Sequence, residues 1–141
     1  HLAITDGQTH YTYADLLAQA GRVAYALRQL AGPPDMPVGL WLPNEPRFVV
    51  AMLGALGAGY PYVPLDAAMP PERNEQILRH AGVGAIVTLR SYEGHLAQLT
   101  NVALIYLDDT LPPAPATFEA PGQPDSLAYI IYTSGSTGLP K

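Results

Sequence analysis

From Phe48 to Leu65 the chain runs eighteen residues without a charged side chain. That length touches the lower limit for a helix crossing a bilayer, about 17 residues. Gly54, Gly57, Gly59, Pro61 and Pro64 lie inside it, and Gly57-Ala58-Gly59-Tyr60-Pro61 reads as a break between two short elements. The stretch is therefore a helix end followed by a strand, both buried, and not a membrane span. A helix over Pro46 to Leu56 would be apolar on nearly every face, so it is predicted to be covered on more than one side.

The rest of the chain has the same rhythm. Ala3–Thr5 and Thr9–Tyr11 flank Asp6-Gly7, a hairpin signal. Thr12 and Asp15 have capping-box spacing. Leu16, Ala20, Val23, Ala24, Leu27 and Leu30 then recur at helical spacing up to Gly32-Pro33. Val38–Leu42 reads as a buried strand, and Asn44 is placed to cap the helix that Pro46 opens. Tyr62–Leu65 is the next strand. Pro70-Pro71 opens a helix through Arg79 that closes near Gly82, and Ala85–Leu89 is a strand. Glu93–Leu99 is a short helix and Val102–Leu107 a further strand. Leu111–Pro124 holds five prolines and reads as an extended connector. Leu127–Tyr132 is a final β-rich run, expected to be a buried strand. Uncharged strands alternating with helices predict an α/β fold, a mainly parallel sheet with flanking helices.

Composition closes off several functions. Charged residues are 13% of the 141, about half the usual share. The net charge is −5, with seven Lys and Arg spread along the chain, so there is no basic stripe for nucleic acid. Cysteine is absent, which removes disulfides, thiolate metal sites and a cysteine nucleophile, and fits a cytoplasmic protein. His1, His10, His80 and His95 lack metal-ligand spacing and read as solvated or capping groups. Asp66 reads as a turn former. Asp108-Asp109 reads as a solvated strand end, and Trp41 as core. The chain opens without an initiator Met inside an apolar stretch, and reads as a segment.

The chemistry is concentrated in Tyr132-Thr133-Ser134-Gly135-Ser136-Thr137-Gly138-Leu139-Pro140-Lys141. Four hydroxyls, two glycines and the only lysine lie within nine residues, directly after a strand candidate. Glycines let backbone N–H groups turn toward an anion. Hydroxyls donate to phosphate oxygens, and lysine adds a point charge. Ligands of open α/β sheets sit at the carboxyl ends of strands. The spacing is not that of the G-x-x-x-x-G-K-[ST] loop, because Pro140 precedes Lys141 and Gly138 lies three residues after Gly135. On composition alone the tract is either a polyphosphate cradle or a plain polar loop.

Thr133 to Lys141 resembles the phosphate-loop signature of the adenylate-forming enzymes, at nine consecutive positions. Tyr11-Thr12-Tyr13-Ala14-Asp15-Leu16 is similar to a motif near the start of adenylation domains. Leu56-Gly57-Ala58-Gly59-Tyr60-Pro61-Tyr62-Val63-Pro64-Leu65-Asp66 is similar to a second, which points to the nonribosomal peptide synthetase branch, and Pro70-Pro71-Glu72-Arg73 continues it. Pro61, Gly57, Tyr11, Asp15 and Ala67-Ala68-Met69 depart from the usual residues of that branch.

The resemblance implies that residues 1–141 are the N-terminal part of the large subdomain of an adenylate-forming enzyme, incomplete by themselves. It implies a ligase that activates an amino acid with ATP to aminoacyl-AMP and pyrophosphate, for transfer to a phosphopantetheine carrier protein. By resemblance Thr133, Ser134, Ser136 and Thr137 would supply hydroxyl donors to the phosphates. Gly135 and Gly138 would allow close backbone approach, and Lys141 would neutralise the leaving pyrophosphate. A magnesium ion is implied as well, with the Thr133 hydroxyl near it. The segment itself carries no catalytic residue by this reading and needs the remainder of the domain. Two alternatives stand: a segment of an acyl- or aryl-acid–CoA ligase, or a non-catalytic docking or complementation fragment. Neither a nucleic-acid nor a membrane partner is expected.

Overall fold

A computed structural model describes residues 1–115 and 121–133. A two-stranded antiparallel hairpin comes first, β1 (Leu2–Thr5) and β2 (His10–Thr12). Its turn is held by the Asp6 carboxylate, which accepts from the N–H groups of Gln8 and Thr9 at 2.9 and 2.7 Å. Those bonds hold the Asp6 carboxyl below its ordinary range. Helix α1 (Tyr13–Gln29) follows at once, with the predicted capping box. The Asp15 N–H donates to Thr12 Oγ1 at 3.1 Å, and the Thr12 N–H donates to the Asp15 carboxylate at 3.0 Å.

The main sheet has four parallel strands in the order β4 (Tyr62–Asp66), β3 (Val38–Leu42), β5 (Ala85–Thr88), β6 (Ala103–Tyr106). Every residue of β3 and β5 is buried, which is why these segments carry no charge. Side chains alternate across the sheet. Val38, Leu40 and Leu42 pack with Ala85, Val87 and Ile105 under α1 and α2 (Pro46–Ala58). Trp41, Val63, Leu65 and Ile86 pack on the opposite face under α3 (Pro71–Ala81) and α4 (Glu93–Leu96). A 3-10 turn, Arg90–Tyr92, leads into α4. The result is three layers, helices on both faces of a parallel sheet.

Helix α2 has no exposed residue, as its all-round apolar sequence requires. It crosses α1 closely at Gly54, where an added Cβ would stand 2.5 Å from Val23 Cγ1 and 3.2 Å from the Ala20 carbonyl oxygen. Its cap differs from expectation. Glu45, not Asn44, is the N-cap residue, and no side chain caps the helix. Pro46 at the first helical position has no N–H to satisfy, and the Glu45 carboxylate turns to Arg47 instead. Helix α3 ends as predicted at Gly82, in the left-handed region with φ 65°. Buried Asn74 donates to the Asp66 carbonyl at 2.9 Å and ties α3 to the end of β4.

The largest departure concerns the final run. It is not a buried strand: it makes one parallel bridge, Tyr129 beside Tyr62, on the outer edge of β4. The Tyr62 N–H donates to the Ala128 carbonyl and the Ile130 N–H to the Tyr62 carbonyl. The next rung would need an N–H at residue 64, and residue 64 is proline. Ile130 and Tyr132 pack on the α3 side. Leu127, Tyr129 and Ile131 stay 53%, 51% and 60% exposed.

Candidate functional site

In the sheet order β4-β3-β5-β6 the chain leaves β3 for one edge and, after β4, returns to the other side of β3. The connection after β3 runs into α2 on one face, and that after β5 into α4 on the other. Such a switch point opens a crevice at the carboxyl ends of the strands. A cleft of about 700 Å³ lies there. Asn44 follows β3 in its wall, Asp66 ends β4, Tyr92 follows β5, and Phe48 comes from the start of α2. Most of its wall is apolar, with Asn44 and Asp66 as the polar groups. Asp66 forms a turn, its Oδ1 accepting from the Ala68 N–H at 2.9 Å. This is the role its sequence context predicts.

The Tyr62–Tyr129 bridge is parallel, so the final run travels in the same direction as β4, toward the carboxyl side of the sheet. Thr133, exposed, is the first residue of the predicted phosphate loop and the last one described. Ser134, Gly135, Ser136, Thr137, Gly138 and Lys141 lie outside the described residues. Thus of the predicted site residues the structure describes only Thr133.

Nothing in the local sequence marks the residue that meets the loop's approach. His80, near the end of α3, has its Nδ1 2.7 Å from the Tyr132 hydroxyl, 52 positions away. The two rings meet edge to face with centroids 5.5 Å apart. Burial raises the Tyr132 phenol above its ordinary value, so it stays protonated at neutral pH.

Asp108 and Asp109 do end a strand, but they are occupied rather than merely solvated. The Asp108 carboxylate accepts from the Arg90 N–H at 3.1 Å. The Arg90 guanidinium donates to both oxygens of Asp109, at 3.1 and 2.6 Å, and to Glu93 at 3.0 Å. It also lies 3.7 Å above the Tyr106 ring. The guanidinium holds the Asp109 carboxyl below its ordinary value. This cluster clamps the ends of β5 and β6. Trp41 is core, 1% exposed, with its ring stacked on His95 at 5.9 Å.

Among the described residues no three His, Asp or Glu converge to hold a metal ion. Nor, among them, is any helix long and apolar enough to cross a membrane.

Comparison with known proteins gives this architecture a family. The AMP-binding enzyme family model matches residues 1–141. Phosphinothricin tripeptide synthetase PhsC of Streptomyces viridochromogenes is 40% identical over an alignment covering 100% of this chain and 13% of its own length. Gramicidin S synthase 2 of Brevibacillus brevis is 33% identical over 100% of this chain and 3% of its own. The nonribosomal peptide synthetase FmoA3 bound to alpha-methyl-L-serine-AMP superposes with a TM-score of 0.85 at 29% identity. That match covers 95% of this chain and 15% of FmoA3. O-succinylbenzoate coenzyme A synthetase of Bacillus subtilis, in complex with AMP, superposes with a TM-score of 0.81 at 25% identity. It covers 99% of this chain and 37% of that enzyme. The chain thus spans a small fraction of the relatives it matches. Fold, motifs and matches agree: the chain belongs to the AMP-binding enzyme family.

Proposed function

We propose that these 141 residues serve an adenylation domain that activates an amino acid with ATP, giving aminoacyl-AMP and pyrophosphate. The acyl group then passes to the thiol of a phosphopantetheine carrier protein. The observation that carries this reading is the unbroken Thr133–Lys141 signature. It follows a run that travels parallel to β4, in a chain whose relatives include peptide synthetases. The AMPPNP-bound form of FmoA3 also superposes on this chain, with a TM-score of 0.81.

In the reaction a substrate carboxylate oxygen attacks the α-phosphorus of ATP. The bond from that phosphorus to the bridging oxygen breaks, and pyrophosphate leaves with the charge. Catalysis of such a step is mostly positioning and stabilisation of phosphate charge. Hydroxyls of Thr133, Ser134, Ser136 and Thr137 donate to phosphate oxygens. Gly135 and Gly138 let backbone N–H groups approach, and the Lys141 ammonium offsets the charge that develops on the leaving group. A magnesium ion would supply further neutralisation when bound, and the Thr133 hydroxyl is the loop group that would lie near it. The groups that bind the amino acid, adenine and ribose are assigned to the remainder of the domain. The cysteine-free composition supports a cytoplasmic setting.

Amino-acid-dependent exchange of pyrophosphate into ATP tests this reading. The full natural polypeptide is expected to catalyse exchange with one or a few amino acids, and the 141 residues alone to catalyse none. Exchange by the isolated segment would overturn the assignment of the substrate-binding groups to the remainder of the domain. A second reading, a CoA ligase for an acyl or aryl acid, is favoured by the likeness to O-succinylbenzoate coenzyme A synthetase. Acid-dependent exchange without any amino-acid response would support it instead.

A further inference from the structure

The final run is held to the sheet at one point. After the Ile130 N–H bonds to the Tyr62 carbonyl, no backbone hydrogen bond among the described residues reaches residues 131–133. Pro64 cannot donate the next one. Tyr132 is nevertheless fixed, half-buried against the α3 cluster with its hydroxyl 2.7 Å from His80 Nδ1. The phenol O–H donates to Nδ1, or accepts from Nδ1–H, according to the imidazole tautomer, and the contact is made in either case. The residue that follows is Thr133, the first of the nine-residue signature.

We propose that His80 is a positioning residue for the phosphate loop. By holding Tyr132 on α3 it sets the place and direction in which the chain leaves the sheet. This takes the work that a second ladder rung would do if residue 64 could donate. The inference rests on the phosphate-loop reading of Thr133–Lys141. Small displacements of groups that hold a reacting substrate are costly, so such a tether acts on the nucleotide rather than on the amino acid.

The test is pyrophosphate exchange by the full polypeptide, with the twenty common amino acids as the initial probe, over a series of variants. Tyr132→Phe and His80→Ala each remove the hydrogen bond. Each is expected to raise the KM for ATP about 3- to 10-fold, the loss of one hydrogen bond, while the amino-acid KM and the Tm stay unchanged. The double variant should be no worse than either single one, because both break the same contact. His80→Asn, whose Oδ1 can stand in for Nδ1, should restore most of the ATP KM. Wild-type ATP KM in both single variants would overturn the proposal. Additive effects in the double variant, or equal rises in both KM values with a lowered Tm, would do so too. Lys141→Ala in the same assay separates the two readings. If it abolishes exchange while the His80 and Tyr132 variants behave as wild type, only the tether is wrong. If it leaves exchange intact, the phosphate-loop reading fails and the tether falls with it.

Discussion

Gly54 shows how finely one residue can set this fold. Replacing it with alanine would favour the α2 helix by about 1 kcal/mol. The new Cβ, however, would stand 2.5 and 2.6 Å from two carbons of Val23, on a helix already pressed against α2. The side chain that must yield is buried, and overpacking of this kind costs about 1–3 kcal/mol. Gly54→Ala is therefore expected to lower the Tm of the intact domain by a few degrees; a rise would show that α1 can retreat freely. At Asp109 the argument is electrostatic. Its carboxyl is held below the ordinary value of 3.8 by Arg90. A depressed folded-state pKa contributes stability that is present above the unfolded value and lost as pH falls through the folded one. Asp109→Asn should accordingly flatten the fall of Tm with pH below about 4, an effect kept small by solvent exposure of the pair. An unchanged acid limb would remove Asp109 from the account.

At the scale of elements, the cap of α1 joins the hairpin to the first helix. Thr12 and Asp15 satisfy each other's backbone donors at the junction of the hairpin and the first helix. Thr12→Ala is expected to cost about 1 kcal/mol of stability, measured by urea unfolding; no loss would mean the hairpin alone fixes the helix start. This cap was legible in the sequence, as were the strands β3 and β5, because each depends on residues close in the chain or on burial so complete that charge is excluded. The misses have long-range causes. The final run looks like a strand by its own residues, but its length is decided by Pro64 on the partner strand. Asn44 is a good cap in isolation, yet Pro46 shifts the helix start so that Glu45 takes the position. His80 gave no sign at all, since its partner lies 52 residues away.

Over the whole molecule, the low charge and the three-layer packing are one fact seen twice. Strands buried on both faces leave no place for charged side chains, and helix α2 is enclosed as well. The candidate site was legible as chemistry but not as geometry. A run of hydroxyls, glycines and a lysine announces phosphate, whereas the direction from which the chain enters it is set by sheet order and by α3. The central claim is that Thr133–Lys141 binds the phosphates of ATP in an amino-acid-activating enzyme. The most direct measurement is amino-acid-dependent ATP–pyrophosphate exchange by the full polypeptide, beside its Lys141→Ala variant. The account predicts exchange with a specific amino acid, and a loss of about 100-fold or more in the variant with the fold intact by circular dichroism. Exchange of equal rate in both proteins, or none with any amino acid, would contradict it.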